Sequence, residues 1–409
     1  MALLLLLLLL ALSASSCADV PADDHLHVYS DCESPPTARD PKGCDWHTTL
    51  NFSAVTTVVD GSKLGGQLTI DVEGGVTWRT TAGDSSLVHA AHTNGVRALP
   101  IVGVAKLGKK GGSAAFTYRK FLGNASALTH AAASIATMAT AAGFDGVEFD
   151  LEGIGAPCGS PHDQGFDYGS AFVSLVRQTR AAVRVAQPRG RVTVTIGLND
   201  MTRKVEKPVF ESYHVAALAN TTDGIFVMAY DMWHSHAYCA GPNAPLPTIE
   251  HNLKTWLAAG VPASALILGI PWYGRSYVCL TNVSSGTGDC AQSTCLSGDK
   301  AHPSKHGPTY TLWQILAKLK ESQQAGAGAG CVRGWSDVWQ SPWMDCPATK
   351  DTLRTVVWYD DANSTTAKAS LARKLQLGGI GLFSAEMAGP INSADARQTW
   401  AALGAFVDP

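Results

Sequence analysis

Gly143-Phe144-Asp145-Gly146-Val147-Glu148-Phe149-Asp150-Leu151-Glu152 alternates acidic and apolar side chains over its second half. In an extended chain Glu148, Asp150 and Glu152 share one face, and Val147, Phe149 and Leu151 share the other. On a parallel strand of a closed barrel the apolar set packs under the helices. The acidic set then faces the barrel interior and ends at the C-terminal rim, where barrel enzymes keep their chemistry. The plainer explanation is a solvent-exposed strand with alternating acids, but the opposite face is too apolar for that, and Gly143 and Gly146 suit a tightly packed strand. Burying three carboxylates without a use costs on the order of several kcal/mol. Like charges this close cannot all ionise cheaply, so at least one carboxyl is expected to hold a proton near neutral pH and to serve as an acid. Glu152, last in the row and nearest the rim, is placed to protonate a leaving-group oxygen, with Asp150 beside it to orient or charge-stabilise the substrate.

Working outward, similar runs rich in β-branched residues recur at His25 to Tyr29, Ala54 to Asp60, Arg97 to Val104, Arg191 to Leu198, Gly224 to Asp231, Leu266 to Tyr273 and Gly378 to Ser384. With the acidic strand they make eight. Between them lie helix-patterned stretches such as Ser126 to Ala142, Tyr168 to Ala186, Thr248 to Ala259 and Thr365 to Leu377. Alternation on this scale implies parallel strands with crossover helices, and the economical fold is α/β, a single (β/α)8 TIM barrel. The interval between the seventh and eighth strands is too long for one crossover. The segment from about 275 to 361 is therefore read as an insertion, rich in Cys, Gly, Ser and Trp and containing disulfides. It holds a helix-like stretch, Thr311 to Lys320, a low-complexity loop, Ala325 to Gly330, and a strand-like stretch, Thr355 to Tyr359. Placed after the seventh strand, it either walls one side of the cleft or is a stapled ornament.

The whole chain has 409 residues, 45% of them hydrophobic and 16% charged, with a formal net charge of -3. Nothing in that balance supplies the basic field that nucleic acid or anionic lipid requires, so no nucleic-acid or membrane partner is expected. Residues 1–18, with leucines from Leu3 to Leu10 followed by small residues, read as a signal peptide cleaved before Asp19, leaving 19–409 as the catalytic domain. Ten cysteines agree with an oxidising lumen. So do the sequons Asn51-Phe52-Ser53, Asn124-Ala125-Ser126, Asn220-Thr221-Thr222, Asn282-Val283-Ser284 and Asn363-Ser364-Thr365. Without Cys17 an odd set remains: Cys32, Cys44, Cys158, Cys239, Cys279, Cys290, Cys295, Cys331 and Cys346. Their pairing is not legible in sequence, and one thiol is left over. No CxxC pair is present, and His234-x-His236 has no acidic or Cys partner at ligand spacing, so these read as loop histidines and no metal or other cofactor is expected. P-loop, HExxH and GxSxG motifs are missing too, which leaves nucleotide hydrolysis, metalloprotease and ordinary serine hydrolase chemistry without support. Trp335, Trp339 and Trp343 either pack the insertion or stack on sugars.

Asp145-x-x-Glu148-x-Asp150-x-Glu152 resembles the DxxDxDxE signature of glycoside hydrolase family 18. Phe226-Val227-Met228-Ala229-Tyr230-Asp231 resembles that family's MxYD motif, and Gly269-Ile270-Pro271-Trp272-Tyr273-Gly274-Arg275 its GxPxYGR segment. Pro271-Trp272-Tyr273-Gly274, Tyr277-x-Cys279, Cys239 with Asn243-Ala244-Pro245, and Val357-Trp358-Tyr359-Asp360 are closer still to its di-N-acetylchitobiase branch. The resemblance implies retaining hydrolysis of N-acetylglucosamine linkages in chitobiose-containing oligosaccharides or chitooligosaccharides, in which the substrate's own acetamide attacks the anomeric carbon. By it Glu152 is the general acid and base, Asp150 holds the acetamide and Tyr230 hydrogen-bonds its oxygen. Glu148, where the family has Asp or Asn, and Asp145 support them, with Glu148 sharing a proton with Asp150. Asp231, Met228, Tyr273 and Phe383 line the sugar, Phe383 standing where the family commonly has Trp. Chitobiase-like exo action by a monomer, lysosomal or extracellular, is the expectation; an endo-acting chitinase and a non-catalytic chitinase-like lectin are the alternatives. Lectins of this kind usually replace the terminal acid, and Glu152 is retained.

Overall fold

The computed structural model describes residues 26–30, 46–61, 66–78, 85–104, 118–152, 154, 166–198, 212–233, 240–279, 288, 304–324 and 330–407. The signal-like segment, the His234-x-His236 pair, the Asn282 sequon and Cys32, Cys44, Cys158, Cys239, Cys290 and Cys295 lie outside the described residues, as does most of the Ala325 to Gly330 loop.

In chain order the first strands are β1 (Leu26–Ser30), β2 (Thr57–Asp60), β3 (Gln67–Ile70), β4 (Val76–Trp78) and β5 (Arg97–Val104). They are followed by β6 (Gly146–Phe149), β7 (Arg191–Gly197), β8 (Gly224–Met228) and β9 (Leu266–Pro271). An insertion then contributes β10 (Tyr273–Cys279), β11 (Ser304–Thr311), β12 (Val332–Ser336), β13 (Ser341–Cys346) and β14 (Thr355–Trp358), before β15 (Gly379–Phe383) ends the series. Hydrogen bonding runs β2-β1-β15-β9-β8-β7-β6-β5, and β2 also pairs with β5, which closes eight parallel strands into a barrel. All eight strands read from the sequence are present. The second is in two pieces: β2 pairs with Arg97–Pro100 of β5, and β3 takes over beside Ile101–Val104 before turning back as the antiparallel β4. That hairpin went unread because its strands are only four and three residues long. Its turn is held by Asp71, whose Oδ1 accepts the amides of Glu73 (3.0 Å) and Gly75 (2.7 Å).

Alternation along each strand divides the core in two. Val28, Val58, Val102, Val147, Phe149, Val192, Val194, Ile225, Val227, Leu268 and Leu382 face outward into the layer shared with the helices. Tyr29, Val59, Leu99, Ile101, Phe226 and Ile267 fill the barrel's inside. Phe226 reaches the axis because Gly381 stands opposite, where a Cβ would lie 2.4 Å from its ring. The helices Ala125–Ala141, Tyr168–Ala186, Leu246–Ala258 and Ala362–Lys374 match the sequence pattern to within three residues at every end. Their starts follow from side chains: Asn124 caps the first, Asp167 the second, and Asp361 with Ser364 forms a capping box on the last.

The insertion is a five-stranded antiparallel sheet, β11-β10-β14-β13-β12, that starts at Tyr273, only one residue after β9 ends. Cys331–Cys346 joins its last hairpin, closing 15 residues of sequence, and Cys279 is also disulfide-bonded. Trp343 and Trp358 pack with Tyr277 in its interior, so Trp343 belongs to the packing reading. The buried Arg354 guanidinium grips Asp345 with two bonds, Nε to Oδ1 at 2.9 Å and Nη2 to Oδ2 at 2.7 Å.

Gly146 opens β6 at φ 140°, and a Cβ there would sit 1.8 Å from the carbonyl oxygen of Arg191 on β7. Gly146→Ala is expected to destabilise the barrel by about 3 kcal/mol or more through backbone strain and overpacking. A thermal unfolding midpoint lowered by roughly 6 °C or more would show it, and an unchanged midpoint would contradict the close approach.

Candidate active site

Two strand ends build the site. β6 stops at Phe149, and the amide of Asp150 still bonds to the carbonyl of Val102 on β5 at 3.0 Å, so Asp150 leaves the barrel wall on a fixed heading with its Oδ1 shielded from solvent. Leu151 is buried, and Glu152 lies in the turn beyond, its side chain reaching solvent at the rim. The ladder is therefore shorter than the alternating sequence implies, and Glu152 is carried by a turn rather than by the strand. That turn is anchored by Tyr118, a buried residue of the short helix Tyr118–Leu122, whose hydroxyl donates to the carbonyl oxygen of Glu152 at 2.6 Å.

From the other side, β8 ends at Met228 and delivers Tyr230 and Asp231. Asp231 turns the chain with a left-handed backbone, φ 56°, a conformation that a short polar side chain tolerates better than most. The buried Asn243 fixes that turn, accepting the Asp231 amide on Oδ1 (3.0 Å) and donating Nδ2 to the carbonyl of Tyr273 (3.3 Å). The Asp231 carboxylate then receives the Tyr273 hydroxyl at 2.8 Å and Nε of Arg275 at 2.6 Å, both on Oδ1, with Nη2 of Arg275 on Oδ2.

The electrostatics tie the two ends together. Partial desolvation at the rim raises the Glu152 carboxyl above its ordinary pKa, and the Asp231 carboxylate raises it further. Burial and a carboxylate that follows another strand thus both favour the protonated form of Glu152. Desolvation also holds the Tyr230 hydroxyl neutral far beyond its usual range, reinforced by Tyr273, Asp150, Asp231 and Glu152. Those four neighbours place Asp150, Glu152, Tyr230, Asp231 and Tyr273 around one spot at the barrel mouth. Phe383, at the end of β15, packs its partly accessible ring among them, 5.9 Å from Tyr230, 6.2 Å from Tyr273 and 5.7 Å from Tyr29 between centroids. Met228 lies lower, packed against the inner aromatic cluster.

Two sequence candidates lie elsewhere. Asp145 sits at the opposite end of β6, where Oδ2 accepts the Ala98 amide at 2.8 Å and contacts Nε2 of His92 at 2.8 Å, so it fixes strand register at the barrel floor. Glu148 is fully buried inside the barrel. Its extra methylene carries the carboxylate across to β1 and β7, where it accepts from Tyr29 (3.0 Å), Thr195 (2.5 Å) and Thr193. Among the described residues, no group of three or more His, Cys, Asp or Glu could hold a metal ion. Tyr118, Asn243 and Arg275 were not chosen from sequence as site residues. Arg275 closes the same seven-residue run as Tyr273 and could have been found there, whereas nothing near Tyr118 signals its contact.

Comparison with known proteins gives the family. Residues 88–388 match the model of glycosyl hydrolases family 18, a span that holds Asp150, Glu152, Tyr230, Asp231, Tyr273 and Phe383. The chain belongs to that family. It is similar to di-N-acetylchitobiase from Rattus norvegicus, 26% identical over 274 residues that cover 65% of this chain and 68% of that protein. It is also similar to an endochitinase from Manduca sexta, 27% identical over 241 residues covering 55% and 39%. Among solved structures, a chitinase from Rhizomucor miehei shares the fold with a TM-score of 0.67 at 21% identity, over 94% of this chain and all 100% of that one. A family 18 chitinase from Cycas revoluta, solved in complex with (GlcNAc)4, does so with a TM-score of 0.66 at 20% identity, covering 93% and 100%.

Asp231→Asn removes one of the two causes that raise Glu152, so the Glu152 titration is expected to move down toward ordinary glutamate without reaching it. Carboxyl-carbon NMR of glutamate-labelled protein, with Glu152→Gln to assign the resonance, checks this; an unmoved titration would leave burial as the whole cause.

Proposed function

We propose that this chain is a retaining glycoside hydrolase that cleaves β-1,4-linked N-acetylglucosamine, in the chitobiose core or in chitooligosaccharides, by substrate-assisted catalysis. The observation that carries the reading is a single one: a rim carboxyl kept protonated above the ordinary glutamate range, gathered at one spot with the Asp150 carboxylate and the neutral Tyr230 hydroxyl. Glu152 donates its proton to the glycosidic oxygen as the bond to the anomeric carbon breaks. Asp150 accepts the acetamide N–H and turns the group so that its carbonyl oxygen attacks that carbon, while Tyr230 donates to the same oxygen. Glu152, now ionised, takes a proton from the water that opens the cyclic intermediate, and two inversions restore the starting configuration. Phe383 offers its ring to the sugar face, and Asp231, held by Arg275 and Tyr273, binds its hydroxyls. The family membership and the chitobiase and chitinase names of the similar proteins support this chemistry. Of the two modes of action we favour exo cleavage, on the strength of the chitobiase likeness. The sequons and disulfides support residence in a lysosome or outside the cell.

Glu152→Gln is expected to lower kcat on a chitobiose or chitotetraose substrate by about 10²–10⁴-fold, the usual worth of a general acid. Affinity for chitotetraose by titration calorimetry should stay within about twofold of wild type. Full turnover in that variant would overturn the assignment. Chitotetraose labelled at its reducing end separates the modes of action: exo cleavage releases single sugars from the start, and early internal cuts would exclude it.

A further inference from the structure

The floor beneath the site holds charges that the hydrolytic reading does not use. His27 on β1 and Glu148 on β6 both face the inside of the barrel, both are fully buried, and Nε2 of the imidazole lies 3.4 Å from Oε2 of the carboxylate. The other contacts of that carboxylate come from the hydroxyls of Tyr29, Thr193 and Thr195; Tyr29 and Thr195 also meet each other at 2.5 Å, so one of these two protons is spent between them and not on Glu148. Hydroxyl groups alone, however, leave a net negative charge where water does not reach, two residues before Asp150 on the same strand face. An uncompensated buried carboxylate of this kind costs several kcal/mol as an order of magnitude, and it would oppose ionisation of its neighbour. Among the described residues, the imidazole of His27 is the basic group found within 4.0 Å of that carboxylate. Its ring is held by aromatic neighbours, with centroids 5.8 Å from Phe226 and 6.1 Å from Tyr29. Among the described residues, the other titratable groups that act on this space through Tyr29 are Asp150 beyond β6 and Tyr230 beyond β8, with Tyr29 itself on β1. Arg97 on β5 donates to Thr57 at 3.4 Å, and Thr57 is the β2 residue paired with His27.

We propose that His27 is held as an imidazolium paired with Glu148, and that this internal ion pair is a positioning device for Asp150: it cancels the charge below, so that Glu148 and Asp150 need not share one proton. The role given to Asp150 rests on the function proposed above; the ion pair does not. His27 is thus a positioning residue that acts through Glu148 and touches no substrate. The pair also explains how the chain accommodates a longer acid at position 148, since the added reach brings the carboxylate to a cation on the first strand.

The ion pair is tested in the intact, ligand-free protein by NMR of ¹³C- and ¹⁵N-labelled histidine, with His27→Phe, or His27→Gln if the first does not fold, to assign the ring. The His27 ring is expected to remain an imidazolium at pH 7.5, about one unit above the ordinary histidine value, and in Glu148→Gln its titration should fall by about two units or more. A neutral ring at pH 6, or a titration that ignores Glu148→Gln, would overturn the proposal. The positioning role is read from kinetics on a chitobiose substrate. His27→Phe should lower kcat about tenfold with KM within twofold, and the double variant with Glu148→Gln should be no slower than Glu148→Gln alone. Losses that simply multiply would assign His27 a structural role only. Undiminished turnover in Glu152→Gln would defeat the hydrolytic reading while leaving the histidine titration to decide the ion pair on its own.

Discussion

Closing eight parallel strands on themselves gives every strand a face that water never reaches, and the contents of that face decide the rest of the molecule. Most inward positions here are apolar or aromatic, and Phe226 spans the axis. Against them stands the polar column on β6 with its partners on β1 and β7. Glu148 is tolerated because hydroxyl groups and an imidazole converge on it; Asp150 and Glu152 are tolerated because they lie progressively closer to the open end. The gradient from a dry floor to a wet rim is thus written along one strand. It separates a carboxylate that is locked in place from one that can exchange a proton.

The second organising element is the joint between barrel and insertion. Asp231 follows β8 of the barrel, yet its carboxylate is held by Tyr273 and Arg275, which begin the antiparallel sheet. Asn243 ties the backbones of both together. The insertion is consequently part of the site, and of the two roles foreseen for it the wall of the cleft fits better than the ornament. Trp339 packs against Trp233 at 5.7 Å between centroids, which brings the sheet's hairpin to the loop that follows Asp231.

Much of this was legible in the sequence because it depends on period and composition. A two-residue alternation of acids with Val147, Phe149 and Leu151 has one comfortable home, and β-branched runs between amphipathic helices have one common architecture. The eight barrel strands, the main helices and the insertion follow from those patterns. What the pattern could not give was where each ladder stops. Local alternation continues through Glu152, but pairing with β7 ends at Phe149, opposite Val194, although β7 itself runs on to Gly197 and β5 to Val104. Nor could it give contacts between distant segments. Tyr118 and Glu152, or His27 and Glu148, meet only through closure of the barrel, and nothing in the spacing of either pair announces it. The partners of Glu148 across the barrel, Tyr29, Thr193, Thr195 and His27, were hidden for the same reason.

One consequence follows from the single residue, Trp272, that separates β9 from β10. Its indole is fully buried, 5.0 Å from the ring of Trp400, and its backbone bonds to both Phe383 and Leu312. The chain therefore passes from the cylinder into the appended sheet without any slack, like a stave that continues into a handle. Excising the appended sheet to obtain a minimal cylinder would unseat Phe383 and strip Asp231 of its guanidinium in the same cut, so loss or exchange of this module during evolution would have to rebuild the rim as well.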